Sequence, residues 1–332
     1  MIEEISKNYY RCVIPLPQNP LKYLNSYMIK GKDKNLIIDT GFNRKESREA
    51  FFNHLETLRI DPANSEVIIT HLHADHSGLV GELYRLGARI FFSALEGEIV
   101  KMETTERCWK SYYVLMRQYG FQESEDFFEN NPGKAYRSLG DFEFVVLREN
   151  DIVSIDDYHF QVITVPGHTP EMINLYEPEQ RLYIAADHVL NIITPHISFR
   201  GFQFPVFLKQ YLNSLKKIYN YNISLMLPAH RTLIFDHRKR IDELFKHHEV
   251  RLQEIERILS ENQTKMTVQE VAAQMRWRID AKKWSDYPDA QKWFAATEAM
   301  AHLDYLANLN RIKMDIIDGV FYFSSLNNNL KK

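Results

Sequence analysis

The sequence predicts an α/β protein in two parts: a domain of strands and helices over residues 1–235 and a smaller, mostly helical domain over 236–332. Three observations support this prediction. Short apolar runs bounded by turn residues recur through the first part, apolar positions at helical spacing dominate the second, and 332 residues suffice for two cores at about 150 residues per domain.

The elements of the first part follow in order. Strands and turns over 10–41 predict an antiparallel meander, and helical spacing of apolar residues predicts a helix over 44–58. The run Val67-Ile68-Ile69-Thr70 predicts a short buried strand. A charged and aromatic stretch at about 94–139 predicts a helical insertion. The remaining elements are strands at 88–92, 142–147, 152–155 and 160–165, a hairpin at 174–186, a helix at 208–219 and a strand at 224–227.

One stretch concentrates side chains that can bind metal. Thr70-His71-Leu72-His73-Ala74-Asp75-His76-Ser77-Gly78 carries three imidazoles and a carboxylate within six positions, between a predicted strand and a helix predicted to start just after it. A lone histidine is more often a surface or hydrogen-bonded residue, but four donors in six positions favour a metal site. Imidazole with carboxylate suits zinc, iron or manganese, and the absence of a nearby cysteine argues against a closed structural zinc site.

The pattern His71-x-His73-x-Asp75-His76 resembles the signature of the metallo-β-lactamase fold hydrolases, which include glyoxalase II, lactonases, arylsulfatases and RNA-processing nucleases. That signature continues with a histidine, a bridging aspartate and a last histidine. The chain offers all three in order, within Gly167-His168-Thr169, Ala186-Asp187 and Ala229-His230. The resemblance implies an αβ/βα sandwich for the first part.

The resemblance also implies two divalent metal ions, with zinc expected first and iron or manganese open. It assigns seven ligands: His71, His73 and His168 on one ion, Asp75, His76 and His230 on the other, and Asp187 between them. Such a pair of ions can lower the pKa of a shared water and present a bridging hydroxide, which makes Asp75 and Asp187 the expected catalytic carboxylates. Asp39, at the end of an apolar strand, either caps the turn that follows or, as the resemblance implies, orients a metal ligand.

The second part predicts three helices and a hairpin. Thr267 and Glu270 form a capping box, and the presumed recognition helix spans 291–310. The arrangement resembles the small winged-helix domain attached to some of these hydrolases. Residues 236–332 hold 16 Lys and Arg against 15 Asp and Glu, too even a balance for the phosphate contacts of a DNA-binding module. A packing role, or a homodimer formed through this domain, is expected instead of nucleic-acid binding.

The composition limits the expected partners and cellular location. The formal net charge is −3, which provides no general electrostatic case for nucleic acid or an anionic membrane. Only Cys12 and Cys108 are present, and the sequence has neither a signal segment nor an apolar run long enough for a membrane span. The expected location is the cytoplasm.

Hydrolysis of an ester, thioester or lactone of a small, partly apolar substrate is the favoured function. Phosphodiester or RNA cleavage is one alternative, and a metal-bearing DNA-binding regulator is another. Iron redox chemistry is disfavoured because the diiron relatives place a carboxylate where His73 stands. The aromatic segments 94–139 and 194–207 are either core or a cover over the metals, and Tyr113 and Phe202 are the expected pocket residues. Glu171 would disfavour anionic substrates if it faced the pocket.

Overall fold

The computed structural model describes residues 1–122, 127–129, 131–279 and 281–326, apart from the side chains of residues 106–108. Its first half is a sheet of seven strands interleaved with helices. The elements are β1 Ile2–Ser6, β2 Tyr9–Pro15, β3 Tyr23–Lys30, β4 Asn35–Ile38, α1 Lys45–Leu58, β5 Ser65–Ile68, α2 Ala74–Ser77, α3 Val80–Arg85, β6 Arg89–Phe92, α4 Ala94–Glu103, α5 Glu106–Gln118, α6 Pro132–Ala135 and β7 Phe144–Val146.

These strands lie in sequence order, β1 to β7. The first four are antiparallel, as the meander prediction requires, and β4 to β7 run parallel. Three helices fall within the stretch expected to be a helical insertion. Parallel pairing matters for function because it brings the carboxyl ends of β4 and β5 to the same edge of the sheet.

A second sheet completes the sandwich. Its elements are β8 Ile152–Ile155, β9 Tyr158–Thr164, β10 Ile173–Glu177, β11 Leu182–Ala186, α7 Phe207–Tyr219 and β12 Leu225–Pro228. The strand order is β12-β11-β10-β9-β8, with β11 and β12 parallel and the other pairs antiparallel. The two sheets face each other through an apolar layer of side chains that includes Tyr27, Ile38, Phe160 and Ile184. Helices cover the outer faces, so the predicted mixed α/β sandwich is confirmed.

The C-terminal segment contains α8 His237–Glu261, β13 Met266–Thr267, α9 Val268–Gln274, α10 Asp289–Asn308, β14 Ile312–Ile317 and β15 Val320–Ser325. Its three strands form a small sheet in the order β13-β15-β14. The capping box at the start of α9 is confirmed: Thr267 accepts from the backbone N–H of Glu270, whose carboxylate accepts from the backbone N–H of Thr267. The winged-helix assignment, and a domain boundary at 235, stay predictions.

The C-terminal segment and the insertion share one apolar core. Trp293 of α10 stacks on Tyr119 at 5.6 Å between ring centroids and meets Phe128 edge-on at 4.9 Å. The pairing of Tyr113 with Phe128, at 4.9 Å, extends this cluster along α5. Aromatic rings in the insertion therefore fill core, as one of the two interpretations expected. Within the described residues, no helix is both long and apolar enough to cross a bilayer.

The helix expected just after the histidine cluster is confirmed as α3. The cluster also contains a short helix, α2, that was not expected, because the carbonyl of His73 accepts from the backbone N–H groups of His76 and Ser77 and closes a turn at Ala74. His76 therefore sits on a helical turn, and its own carbonyl accepts from the backbone N–H and the hydroxyl of Thr40. These bonds direct the imidazole of His76 toward the end of β4.

Candidate metal centre

The seven predicted ligands come from separate loops that meet at the carboxyl ends of the strands. His71 and His73 follow β5, Asp75 and His76 lie on α2, and the remaining three follow β9, β11 and β12: His168, Asp187 and His230. Strand ends at one edge of a sandwich are a common location for functional side chains, because the rigid sheet fixes where each loop starts. The structure brings all seven predicted ligands together.

Three imidazoles form the first triad, His71, His73 and His168. The Nδ1 atom of His73 lies 3.1 Å from Nε2 of His71 and 3.0 Å from Nε2 of His168. Three nitrogens bound tetrahedrally to one zinc ion at its usual bond length would be on the order of 3.3 Å apart. The spacing therefore fits a shared ion.

The second triad is Asp75, His76 and His230. The Nε2 atom of His230 lies 3.3 Å from Oδ2 of Asp75 and 3.3 Å from Oδ1 of Asp187. The other oxygen of Asp187, Oδ2, lies 3.7 Å from Nε2 of His168 in the first triad. Asp187 thus offers one oxygen to each triad, which is the geometry of a bridging carboxylate.

The second triad leaves several buried polar atoms without a hydrogen-bond partner among the described residues. They are Oδ2 of Asp75, Nε2 of His76, Oδ1 of Asp187 and Nε2 of His230. A buried polar atom without a partner costs roughly 1–3 kcal/mol, so four that converge on one point require an occupant. Their chemistry, two imidazole nitrogens and two carboxylate oxygens, fits a divalent cation.

Charge differs between the two triads. Burial lowers the pKa of each imidazole of the first triad below its ordinary value. Burial acts in the same sense on His76 and His230, but nearby carboxylates outweigh it. They raise the pKa of His76 well above its ordinary value, chiefly through Asp39, and that of His230 to about 10, chiefly through Asp187. The first triad can therefore bind an ion as neutral imidazole, whereas the second must first release protons.

Asp39 occupies the position expected of an orienting carboxylate. It is buried and accepts from the backbone N–H of Thr70 at 2.9 Å, from the Thr70 hydroxyl and from Nδ1 of His76 at 2.8 Å. The Thr70 hydroxyl also lies 3.1 Å from Nδ1 of His71. One carboxylate thus fixes imidazoles of both triads with their Nε2 atoms turned to the centre.

The histidines contributed by the second sheet are fixed by backbone carbonyls. Nδ1 of His168 donates to the carbonyl of His196 at 2.6 Å, and Nδ1 of His230 donates to that of Tyr23 at 2.7 Å. Each bond places the hydrogen on Nδ1 and leaves Nε2 as the ligand atom. Gly167 makes the turn before His168 possible: its φ is +137°, and a Cβ there would lie 2.3 Å from the Cα of Tyr211.

Two ionisable side chains at the site, one acidic and one basic, were missed from the sequence. Glu96 accepts from the backbone N–H of Leu72 and of Glu171, both at 2.7 Å, and so ties the two histidine loops together. Burial raises the pKa of Glu96 to about 7. Arg200 reaches to 3.5 Å from His73. Neither residue lies in a motif, although Arg200 belongs to the aromatic loop that the sequence marked.

The expected pocket residues lie in the aromatic cluster. Tyr113 packs on Phe128, and Phe202, 51% exposed, packs on Phe199 and on Phe321 of β15. Their contribution to a pocket stays a prediction. The carboxylate of Glu171 accepts from the backbone N–H of Leu95 at the start of α4.

Comparison with known proteins identifies the family of the chain. The Metallo-beta-lactamase superfamily profile matches residues 21–230, which contain all seven ligands. The lactamase-like protein aptB of Emericella nidulans is 25% identical over 243 residues, 73% of this chain and 62% of aptB, so the chain spans less than two thirds of that relative. The beta-lactamase-like protein 2 homolog of Caenorhabditis elegans is 24% identical over 267 residues, 78% of this chain and 74% of that protein.

Two solved structures share the fold over nearly the whole chain. A metallo-beta-lactamase family protein from Thermus thermophilus superimposes with a TM-score of 0.83 at 22% identity, covering 97% of this chain and 100% of the other. A beta-lactamase domain protein from Burkholderia ambifaria gives a TM-score of 0.77 at 23% identity, with 98% and 94% covered. Both alignments extend beyond the matched family region into the C-terminal segment. By its sequence and its fold, the chain belongs to the metallo-beta-lactamase superfamily.

Proposed function

We propose that the protein is a hydrolase that uses two divalent metal ions, zinc first among them, to cleave an ester, thioester or lactone of a small, partly apolar substrate. The observation that carries this proposal is Asp187, whose two oxygens face different triads. A carboxylate placed between two sets of ligands is what a two-ion hydrolytic centre needs.

Two bound ions would supply an activated water and polarise the carbonyl under attack. The protein's own part is to hold the ligands in position. The Asp39–Thr70 bonds and the carbonyls of His196 and Tyr23 fix imidazoles of both triads in a single orientation, so little reorganisation is needed when substrate binds. The carboxylates of Asp75 and Asp187, buried beside His230, keep negative charge at the centre, where it balances the cations.

The alternatives receive less support. A DNA-binding regulator would need an exposed, basic recognition helix, but α10 buries residues around most of its circumference. Its Lys292 pairs with Asp289 of the same helix. Phosphodiester cleavage would use the same metal centre on a different substrate, so an activity assay is needed to distinguish it from acyl hydrolysis.

The test combines metal analysis with a panel of chromogenic esters, thioesters, lactones and phosphodiesters. The wild type should bind two equivalents of metal and cleave at least one acyl substrate. Asp187→Ala should lose metal from both triads and lose activity, whereas the exposed-site control Asp157→Ala should retain both. Two equivalents of metal with full activity in Asp187→Ala would overturn the assignment, and turnover of phosphodiesters alone would favour the nuclease alternative.

A further inference from the structure

Arg200 lies against the metal centre on the loop after β11. Its Nη2 atom is 3.5 Å from Nε2 of His73, and its side chain is only 14% exposed. His73 itself is partly exposed to solvent, unlike the other four histidines of the two triads. The permanently charged guanidinium of Arg200 therefore lies beside the outer edge of an imidazole that is predicted to bind metal.

The two groups cannot satisfy each other once metal is bound. Nδ1 of His73 faces the other two imidazoles of the first triad and is the ligand atom, so Nε2 must carry the hydrogen. The guanidinium of Arg200 can only donate. Two adjacent donors are therefore directed to the same edge, where a ligand could accept from both.

Glu103 and Tyr112 contact the guanidinium of Arg200 at Nη1. Oε1 of Glu103 lies 3.8 Å from Nη1 of Arg200, and the Tyr112 hydroxyl accepts from Nη1 at 3.2 Å and donates to Glu103 at 3.1 Å. Nε of Arg200 is buried without a hydrogen-bond partner among the described residues. A purely structural role, holding α5 to the loop, would use Nη1 but would leave Nε and Nη2 unexplained.

Glu171, which the sequence marked as a residue that could repel an anion, is hydrogen-bonded elsewhere. Glu171 points its carboxylate at the backbone N–H of Leu95, 2.6 Å away, at the amino end of α4. The objection that Glu171 would disfavour an anionic substrate therefore no longer holds.

We infer that Arg200 and the Nε2–H group of His73 form an anion subsite beside the metal centre, which selects substrates carrying a carboxylate a few bonds from the scissile carbonyl. This inference rests on the proposed acyl hydrolysis. A carboxylate oxygen placed between the two donors would accept from both, and a hydrogen bond from a charged donor is among the stronger ones in proteins. The apolar part of the substrate would lie toward the aromatic loop.

Binding of unreactive keto acids tests the subsite without turnover. The probes are 4-oxopentanoate, 5-oxohexanoate and 6-oxoheptanoate, each paired with its neutral carboxamide and titrated by calorimetry into the metal-loaded full chain. The wild type should bind the best acid on the order of tenfold or more above its amide, the range expected for a charge-assisted hydrogen bond. Acetate, which can bind the metals directly, provides the baseline.

Arg200→Met should reduce that ratio to within about twofold of unity after correction for acetate, with two equivalents of metal retained. Arg200→Lys keeps the charge but not the planar fork and should lower the ratio at least about threefold, so it serves as the test if the methionine variant does not fold. Tyr112→Phe, which removes only the hydroxyl that accepts from Nη1, should lower it less than either. An unchanged ratio in both Arg200 variants, or no preference for any acid in the wild type, would overturn the inference.

Hydrolysis of paired thioesters that differ in the same carboxylate or carboxamide separates this inference from the proposed reaction. Turnover with no preference for the acid would refute the subsite alone. Absence of turnover with every substrate would refute the reaction, while the calorimetric ratio would still report on the subsite.

Discussion

Asp39→Asn tests how far the metal centre depends on a residue that binds no metal. Asparagine has the same shape as aspartate and tolerates the left-handed backbone found here, where φ is +60°. The substitution therefore removes the charge and one acceptor oxygen without adding strain. In the variant, the amide NH2 group must face either Nδ1 of His76, at the position of the 2.8 Å contact, or the backbone N–H of Thr70, so one donor faces another donor.

The cost follows from those contacts. Loss of one buried hydrogen bond to a charged group costs about 1.5–3 kcal/mol, which is roughly a 10- to 150-fold loss of affinity for the ion that His76 binds. The hydrogen bonds described connect the first triad to Asp39 only through Thr70, so the affinity for the ion of the first triad should fall less. The measurement is a competition titration with a chromophoric chelator, which resolves two binding steps. Asp318→Asn provides the control because Asp318 is an exposed aspartate that also has a positive φ, +50°.

If the affinity of each binding step stayed within about twofold of its wild-type value, Asp39 would not support the ligands. A uniform loss from both steps would instead indicate that binding at the first triad depends on an intact second triad. Only a selective loss at the second triad agrees with the hydrogen bonds described.

Three further predictions concern the turn, the charge state and acid stability. Gly167→Ala should lower the free energy of unfolding by about 2–6 kcal/mol and weaken metal binding, because backbone strain and a clash with Tyr211 combine. Gly140→Ala, where φ is positive but the space is open, should cost far less, and urea unfolding of both variants measures the difference. Metal uptake near pH 7 should release protons from His76 and His230, whose pKa values are raised, and calorimetry in buffers of different ionisation heat should detect this release; equal heats in every buffer would contradict it. Burial lowers the pKa of His302 to about 3, so its contribution to stability is complete above pH 6.5 and is lost as the pH falls toward 3, by up to about 1.4 kcal/mol per pH unit. His302→Gln should therefore reduce the fall of unfolding free energy with falling pH, measured by urea unfolding of the metal-free protein. An unchanged dependence on pH would show that His302 is not the group responsible.

The seven predicted ligands could be read from the sequence for two reasons. The cluster from His71 to His76 concentrates donors just after a predicted strand, and the resemblance to a known family signature supplied the two later histidines and the bridging aspartate. Asp39 directly follows an apolar strand, but its orienting role also came from that resemblance.

Residues whose role depends on distant contacts could not be read in the same way. Glu96 lies on a helix of the insertion and acquires its role only where that helix passes both histidine loops. Arg200 and His196 matter because the loop after β11 folds back over the first triad. Hydrophobic periodicity reports which face of an element is buried, but not against which neighbour.

The hydrogen bond from His168 to the carbonyl of His196 connects the metal centre to the far end of the chain. Nε2 of the same His196 lies 3.0 Å from the carbonyl of Phe294 on α10, and Trp293 beside it holds the insertion helices. Residues 1–235 and 236–332 are therefore poor units for recombination. A chimaera that exchanges the tail between relatives must take the insertion and the loop at 194–207 with it, or it will misplace a ligand that lies far away in the sequence.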